Sequence, residues 1–350
     1  MHIPPLDVSP YPIVTMSHGR YENSARSRTP LSSANHSPDF SNIQKLVRSV
    51  FRSQRLSILQ IERMPSRLHQ VYLLRITDGS SLFLKCPPLF NTRLLRHEQR
   101  TLQGEAKVLD ALSSNTQLRS PECIDHDPQG RALGSPHLLL QCVPGTRLSD
   151  LSSRLTASER RTVDRTIGAY VRSITSLAAD SFGLAHRVFA GTGSTSWRQA
   201  FLYLLEAALR DAEDMVVSVP YDSIRQSMAR HGRLLDEVTE ARLVPLDVGI
   251  PENVLVDDRT KQVSGVVGFS NAVWGDPMLA AVFVNASDAF FEGYGECPSP
   301  VGKARIRQLL YTVYRSLVAV VEHHYRPNYA SGELDARGSL TWALSQLSQL

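Results

Sequence analysis

The chain has 350 residues, of which 42% are hydrophobic and 21% charged, and its formal net charge is +4 at pH 7. This composition is typical of a globular protein and excludes a wholly disordered chain, a collagen-like fibre and a charge-dense coiled coil. At about 150 residues per domain, the length predicts two domains or one two-lobed unit. No run of about 18 apolar residues is present, so no membrane-spanning helix is predicted. Lysine and arginine are scattered along the chain, which predicts that nucleic acid is not a partner.

The cysteines and the amino terminus bear on the cellular compartment. The four cysteines lie far apart and form no CxxC pair, so neither a zinc site nor a disulfide framework is predicted. Such cysteines fit a reducing compartment. The amino terminus has no apolar stretch behind a positive segment, so no secretory signal is predicted. We therefore expect a cytoplasmic protein with no membrane partner, and the oligomeric state stays open.

The predicted elements begin after a polar tail. Residues 1–40 are rich in Ser, Pro, Asn and Arg and are predicted to be disordered. Ser41 is predicted to cap the first short helix. Asp78-Gly79 predicts a hairpin turn between two strands. In chain order, strands are predicted at 57–61, 71–76 and 81–86, a helix at 96–112, a strand at 138–143, helices at 159–177, 197–215 and 221–240, strands at 254–257 and 263–269, and a helix at 304–325.

This order of elements predicts an α+β fold with two lobes. Residues 41–143 would form a small lobe with an antiparallel sheet and one key helix, and residues 144–350 a larger, mainly helical lobe with an embedded hairpin. The connector lies near Gln141 to Gly145. The cleft between the lobes is the default ligand pocket.

Four polar residues occupy positions that phosphoryl transfer would need. Lys85 ends a central strand, and Glu105 lies on the following helix, where its carboxylate can hold the ammonium in place. Asp247 and Asn253 precede the strand at 254–257, where a loop can offer a base and an amide oxygen. Phosphoryl transfer depends mostly on positioning and charge neutralisation, and these residue types supply both.

Several stretches together resemble the aminoglycoside phosphotransferase family, especially its fungal branch. They are 82–85 (Leu-Phe-Leu-Lys) with 94–98 and 104–106, 138–146, 196–201, 243–257 and 273–277 (Val-Trp-Gly-Asp-Pro). The resemblance covers residues 57–326. It implies a protein-kinase-like fold and ATP-dependent phosphorylation of a hydroxyl on a small-molecule substrate, with Mg²⁺ as the metal. It also implies a role beside specialised metabolism.

The resemblance implies roles for the site residues as well. The backbone from Gln141 to Val143 would meet adenine, and Lys85, held by Glu105, would meet the phosphates. Asp247 would be the catalytic base. In addition, the Ser66 hydroxyl would donate to a phosphate, and Asn253 would bind Mg²⁺.

The sequence also departs from the family pattern. Gly268 stands where active members have a metal-binding Asp, and glycine offers no side-chain oxygen. Asn271 is the predicted replacement metal ligand, with Asp257 and Glu252 as alternatives. The loop at 247–253 is one residue longer than usual, Pro245 replaces the usual His, and the segment 64–70 has no glycine.

These departures leave three hypotheses open. The first is an active small-molecule kinase with a rearranged metal site. The second is a catalytically inactive pseudokinase that binds nucleotide, and the third is an interaction module with no ligand in the cleft. A run of acidic residues at 211–214 is predicted to be a solvated helix face, although it is also able to attract a cationic substrate.

Overall fold

The structure is a computed structural model, and it describes residues 39–298, 301–327 and 332–350. Residues 1–38 of the predicted disordered tail lie outside the described residues. The first helix begins at Phe40, with Asp39 at its N-cap. The prediction that Ser41 caps this helix is therefore wrong, because Ser41 lies within its first turn.

The predicted strands and helices recur with additional elements between them, but the predicted helix at 221–240 ends at His231 before a 3₁₀ turn, and the predicted strand at 263–269 ends at Val266. The helices are α1 (Phe40–Val50), α2 (Thr101–Asn115), α3 (Leu148–Leu151), α4 (Ala157–Thr175), α5 (Ala185–Phe189), α6 (Trp197–Asp214), α7 (Tyr221–His231), α8 (Asp288–Tyr294), α9 (Gly302–Tyr325) and α10 (Glu333–Ser348). The strands are β1 (Ile58–Met64), β2 (Gln70–Ile76), β3 (Ser81–Cys86), β4 (Cys123–Asp127), β5 (His137–Gln141), β6 (Thr146–Arg147), β7 (Ala178–Ala179), β8 (Gly183–Leu184), β9 (Ala241–Pro245), β10 (Val254–Val256), β11 (Val263–Val266) and β12 (Ala272–Gly275). In the part of the chain described here, no helix has the length and apolar character needed to cross a membrane.

The small lobe contains a five-stranded antiparallel sheet in the order β1-β2-β3-β5-β4. The predicted hairpin joins β2 to β3, and Gly79 takes a φ of +88° at its turn. Strand β3 alternates, so Leu82, Leu84 and Cys86 are buried in one core cluster with α1. Successive side chains of a strand point to opposite faces, and Lys85 therefore faces the other side of the sheet.

The large lobe packs α4, α6 and α9 around a continuous apolar core. Trp197 and Phe201 of α6 are fully buried. The indole Nε1 of Trp197 donates to the hydroxyl of Tyr311 on α9 at 2.8 Å, and that hydroxyl donates to Asp276 at 2.7 Å. The same core includes Leu138 and residues of α2, so the inner face of the small lobe and the large lobe share one apolar interior.

Two short sheets of the large lobe bring two loops side by side. One sheet has the order β11-β10-β6 and pairs Val254 with Val266. The other has the order β7-β9-β12-β8 and pairs Pro245 with Ala272. Because both pairings are antiparallel, the loops 246–253 and 267–271 are held next to each other. These loops carry most of the predicted large-lobe site residues.

The main difference from the sequence prediction lies before α2. The predicted helix at 96–112 is a short 3₁₀ turn at Arg96–Glu98 followed by α2, with Arg100 between them at a φ of +58°. The Glu98 carboxylate accepts the Leu95 N–H at the start of the 3₁₀ turn, and the left-handed backbone of Arg100 separates this turn from α2. The architecture nevertheless is the predicted two-lobed α+β, protein-kinase-like fold. The lobe boundary after Val143 stays a prediction.

Candidate active site

Lys85 and Glu105 form an ion pair at the inner face of the small-lobe sheet. The Lys85 Nζ lies 2.6 Å from the Glu105 Oε1, and the side chains are 19% and 3% exposed. Strand alternation turns Lys85 toward α2, and the first turns of α2 present Glu105 to it. The second oxygen of Glu105 is buried without a hydrogen-bond partner among the described residues. Lys85 is therefore held as a fixed positive charge beside the cleft.

The predicted hinge follows β5. The N–H groups of Gln141 and Cys142 donate to backbone oxygens of Glu122 and Ser81 at 2.9 and 3.1 Å. The Val143 N–H donates to no acceptor within the described part of the chain. A hinge N–H without an acceptor is able to bind a planar acceptor such as an adenine ring nitrogen. The Val143 N–H is therefore available to a ligand, whereas the Gln141 N–H is already used within the protein.

A cavity of about 480 Å³ lies beside the hinge, on the side of the β10–β11 hairpin. Its lining includes Arg119, Gln141, Val143, Asp257 and Gln262. Lys85 and Asp247 are not part of this lining. The cavity thus shares Gln141 and Val143 with the predicted hinge but does not extend to Lys85 or Asp247.

The β1–β2 loop lies at the Lys85 end of the sheet, because Val71 at the start of β2 pairs with Lys85. Ser66 is half-buried in this loop. His69 is buried, and its Nε2 lies 3.0 Å from the Thr101 hydroxyl at the start of α2. Burial, assisted by the Lys85 charge, lowers the pKa of His69 to about 3. The imidazole is therefore neutral and links the loop to the helix that carries Glu105.

Asp247 and Asn253 are joined directly across the loop that follows β9. The Asn253 Nδ2 donates to the backbone oxygen of Asp247 at 2.8 Å. Burial raises the pKa of the Asp247 carboxyl, while Arg67 and a hydrogen bond from Asn271 oppose that shift. A desolvated carboxyl with a raised pKa is the kind of group that can accept a proton from a hydroxyl.

The predicted metal ligands are arranged around Asp247. Asn271 lies close enough to the Asp247 carboxyl to lower its pKa, and the Asn271 Oδ1 is buried without a partner among the described residues. At Gly268, an added Cβ would lie 2.8 Å from the Asn253 Cγ and closer still to its Nδ2. The space for a side chain at position 268 is therefore filled by Asn253.

These residues do not fit Mg²⁺ in the manner expected of a kinase site. Mg²⁺ is usually bound by one or two carboxylates together with phosphates and water. Here Asn253 and Asn271 offer neutral amide oxygens, and position 268 offers none. Elsewhere in residues 39–298, 301–327 and 332–350, no cluster of three or more His, Cys, Asp and Glu side chains is placed to hold a metal ion.

Of the two alternative replacements for the missing carboxylate, Asp257 holds a turn at a distance from Asn253, and Glu252 faces solvent. The Asp257 carboxylate accepts the N–H groups of Arg259 and Thr260 and so holds the β10–β11 turn. It lies beyond the far end of β10, about 13 Å from Asn253 at ~3.3 Å per residue. Glu252 is exposed. Asp257 is therefore not a shared ligand with Asn253.

The acidic run of α6 is the predicted solvated face at Glu213 and Asp214, which are exposed, but not at Asp211. Asp211 is 1% exposed, and its carboxylate accepts the Arg96 N–H at 2.9 Å and an ion pair from the Arg96 guanidinium. Asp214 also pairs with Arg96, and Glu213 pairs with Arg225. These carboxylates are neutralised by arginines rather than free to attract a cation.

The structure adds charged residues near the cleft that sequence reasoning missed. Arg67 of the β1–β2 loop pairs with Glu322 of α9 through both its Nε, at 3.1 Å, and its Nη2. Arg326 pairs with Glu322 and Glu98. These residues lie far apart in the chain, and no local pattern indicates their contact.

The fold and site can be compared with known proteins. The sequence model of a family described as "APH: Phosphotransferase enzyme family" matches residues 60–296. No match was found among curated protein sequences.

Solved structures resemble the fold. A thermostable mutant of aminoglycoside phosphotransferase APH(4)-Ia, in complex with AMP-PNP and hygromycin B, has a TM-score of 0.60 at 16% identity, covering 87% of this chain and 98% of that one. A protein assigned as a fructosamine-3-kinase of Thermobifida fusca YX-ER1 has a TM-score of 0.61 at 17% identity, covering 88% and 99%. The gentamicin complex of APH(2")-IIa has a TM-score of 0.56 at 13% identity, covering 92% and 98%.

At these identities the structural likeness shows the fold alone. The family match is the stronger result, because it spans more than half of the chain and includes the strand of Lys85, the helix of Glu105 and the loops of Asp247 and Gly268. The chain therefore belongs to the phosphotransferase enzyme family.

Proposed function

We propose that this protein binds ATP in its interlobe cleft, and that phosphoryl transfer to a hydroxyl of a small molecule is severely weakened or lost. The ion pair of Lys85 and Glu105, at 2.6 Å, is the observation that carries the proposal. A buried carboxylate that fixes one lysine at the mouth of a cleft provides a phosphate-binding charge. The family match and the fold support the same assignment.

The other nucleotide contacts follow from their positions. Adenine meets the Val143 N–H at the hinge, and the phosphates meet Lys85. Ser66 of the β1–β2 loop donates its hydroxyl to a phosphate oxygen. Gln141 helps to position the hinge but does not bind adenine through its N–H, because that group already donates to the backbone oxygen of Glu122.

The chemistry that this cleft would perform is the attack of a substrate hydroxyl on the γ-phosphorus of ATP. The Asp247 carboxylate would take the hydroxyl proton, the new phosphate ester would form, and ADP would leave. Asn253 and Asn271 orient Asp247 through its backbone oxygen and its carboxylate. The weak step is charge neutralisation, because Gly268 supplies no carboxylate for Mg²⁺.

A second candidate is an active small-molecule kinase whose Mg²⁺ is bound by residues other than the usual ligands of the family. The convergence of Asn253 and Asn271 on Asp247 favours it, because an abandoned catalytic base has no need of two orienting side chains. The resemblance to the fungal branch adds the proposal of a role in specialised metabolism. A third candidate, an interaction module, is favoured only by a cleft that binds no nucleotide.

The test is nucleotide binding followed by transfer. Thermal unfolding of the full-length protein is measured with ATP, in EDTA and in Mg²⁺, with Lys85→Met as the control. ATP at about 100 times its dissociation constant adds roughly 2.7 kcal/mol to the free energy of unfolding. We expect stabilisation in EDTA and little further gain from Mg²⁺. No stabilisation in either condition would contradict the proposal and favour the interaction module.

Transfer is then measured as ADP release in the presence of a panel of hydroxyl compounds. We expect no release above the rate of the Asp247→Asn variant. Release that depends on Asp247 and Mg²⁺ would establish the active kinase instead.

The remaining proposals concern location and partners. We propose a cytoplasmic protein with a small-molecule partner and no nucleic-acid or membrane partner. The free state of the four cysteines supports a reducing compartment.

A further inference from the structure

Arg67 is placed at the phosphate end of the cleft by strand register. It lies in the β1–β2 loop, and the pairing of Val71 with Lys85 puts that loop at the Lys85 end of the sheet. Its guanidinium reaches Glu322 on the large lobe. Both charges are close enough to Asp247 to act on its carboxyl in opposite directions. Arg67 thus lies in the loop at the Lys85 end of the sheet and close enough to Asp247 for its charge to act on that carboxyl.

Arg67 is also the residue that can most easily give up its partner in the ion-pair network of Arg67, Glu322, Arg326 and Glu98. Its side chain is 61% exposed, whereas those of Glu322 and Arg326 are 10% and 5% exposed. Glu322 keeps Arg326 as a partner at 3.1 Å, and Arg326 keeps Glu98. If Arg67 turned to another anion, no buried charge would be left without a partner. Most of the Arg67 side chain is already in contact with solvent, so turning it from one anion to another requires little desolvation of the guanidinium.

The cleft has a deficit of positive charge where a nucleotide would need it. Gly268 cannot hold a metal ion, and the space beside it is filled by Asn253. The triphosphate of ATP is strongly anionic, and Lys85 alone offers one point charge. A guanidinium is always charged and can bind phosphate oxygens through two parallel N–H groups.

We infer that Arg67 exchanges Glu322 for the phosphates of the bound nucleotide and supplies the positive charge that Mg²⁺ supplies in a complete kinase site. This inference rests on the proposed binding of ATP and names the side chain that makes such binding independent of metal.

The test compares ATP with adenosine, which lacks phosphates, by calorimetric titration of the full-length protein in EDTA. The variants are Arg67→Gln and Arg67→Lys. The matched control is Arg161→Gln, because Arg161 is 59% exposed and pairs with Glu292 on the surface of the large lobe. A charge-assisted hydrogen bond to phosphate, less the exchanged ion pair, corresponds to about tenfold in affinity.

We expect Arg67→Gln to weaken ATP binding about tenfold and to leave adenosine binding unchanged. Arg67→Lys should lose less, and Arg161→Gln should bind both ligands as the wild type does. Equal ATP affinity of Arg67→Gln and the wild type would overturn the inference, as would an equal loss for ATP and adenosine. If the wild-type protein bound ATP no more tightly than adenosine, the inference would be overturned but the proposed function would not. Wild-type protein that binds neither ligand would overturn the proposed function as well.

Discussion

The two ends of the cleft differ in what they retain. At the small-lobe end, Lys85 and Glu105 form a short, largely buried ion pair on a regular strand and helix. At the large-lobe end, Asp247 and Asn253 are in contact, but position 268 carries no side chain and its space is filled. In the proposed function, nucleotide binding depends on the small-lobe end and metal-dependent transfer on the large-lobe end, so the first can be kept when the second is lost.

The small-lobe end should be the more sensitive to loss of one charge. Lys85→Met leaves the Glu105 carboxylate buried without its cation, and we expect a loss of about 3 kcal/mol in the free energy of unfolding. ATP binding should be lost in the same variant. Chemical denaturation measures the first effect, and thermal shift with ATP measures the second.

The control for this prediction is an exposed ion pair of the same length. Lys303 and Glu237 also meet at 2.6 Å, but the lysine side chain is 67% exposed. Lys303→Met should cost less than about 1 kcal/mol. If both lysine variants lost the same stability, burial would not distinguish the two pairs, and the comparison between the ends of the cleft would lose its energetic basis.

The large-lobe end should be sensitive to added volume rather than to loss of charge. Gly268 has a φ of +93° and Asn253 against it, so Gly268→Ala meets both backbone strain and a steric clash. We expect a loss of about 2 kcal/mol, measured by chemical denaturation. Gly79 is the matched control, because its φ is +88° and no atom lies within 4 Å of an added Cβ.

Gly79→Ala should cost about 1 kcal/mol, which isolates the backbone strain. The difference between the two glycine variants then measures the contact with Asn253. Equal losses at both positions would mean that Asn253 moves aside without cost, and position 268 would be open to a metal-binding side chain after all.

The two ends also differ in how far the sequence predicted them. The strand of Lys85 and the helix of Glu105 were predicted from local patterns, and the family resemblance implied the contact of the two side chains, which lie 2.6 Å apart. The Asp78-Gly79 turn was likewise a local prediction, and the structure confirms it. Local periodicity specifies which face of a strand or helix a side chain occupies. In the small lobe, the face that carries Lys85 is the one on which the candidate site lies.

The large-lobe end depends on contacts between distant parts of the chain. The sequence indicated that Gly268 lacks a ligand, but the filling of its space by Asn253 follows from the pairing of β10 with β11 and of β9 with β12. The contact of Arg67 with Glu322 spans 255 positions. The burial of Asp211 against Arg96 was missed for the same reason. Charge pairs of this kind leave no period in the sequence.

A smaller expected effect is the pH dependence of stability at the small-lobe end. His69 is buried beside the Lys85 end, and its pKa is lowered to about 3 from an ordinary value of 6.5. The unfolded chain therefore binds a proton below pH 6.5 that the folded protein does not, so stability is present at neutral pH and falls as the pH drops toward 3. At about 1.4 kcal/mol per pH unit, His69 accounts for roughly 2 kcal/mol of loss between pH 7 and pH 5.

His69→Gln keeps a group that can bond Thr101 but cannot take up this proton. Denaturation at pH 7 and pH 5 should show that the variant loses about 2 kcal/mol less than the wild type across this interval. His126 is a suitable comparison, because its pKa is lowered by partial burial and it lies on β4, away from the cleft. His126→Gln should change the pH dependence less than His69→Gln. If His69→Gln kept the wild-type pH dependence, the imidazole would be accessible to protons. The loop that carries Arg67 would then not be packed against α2, and the small-lobe end would be less rigid than its ion pair indicates.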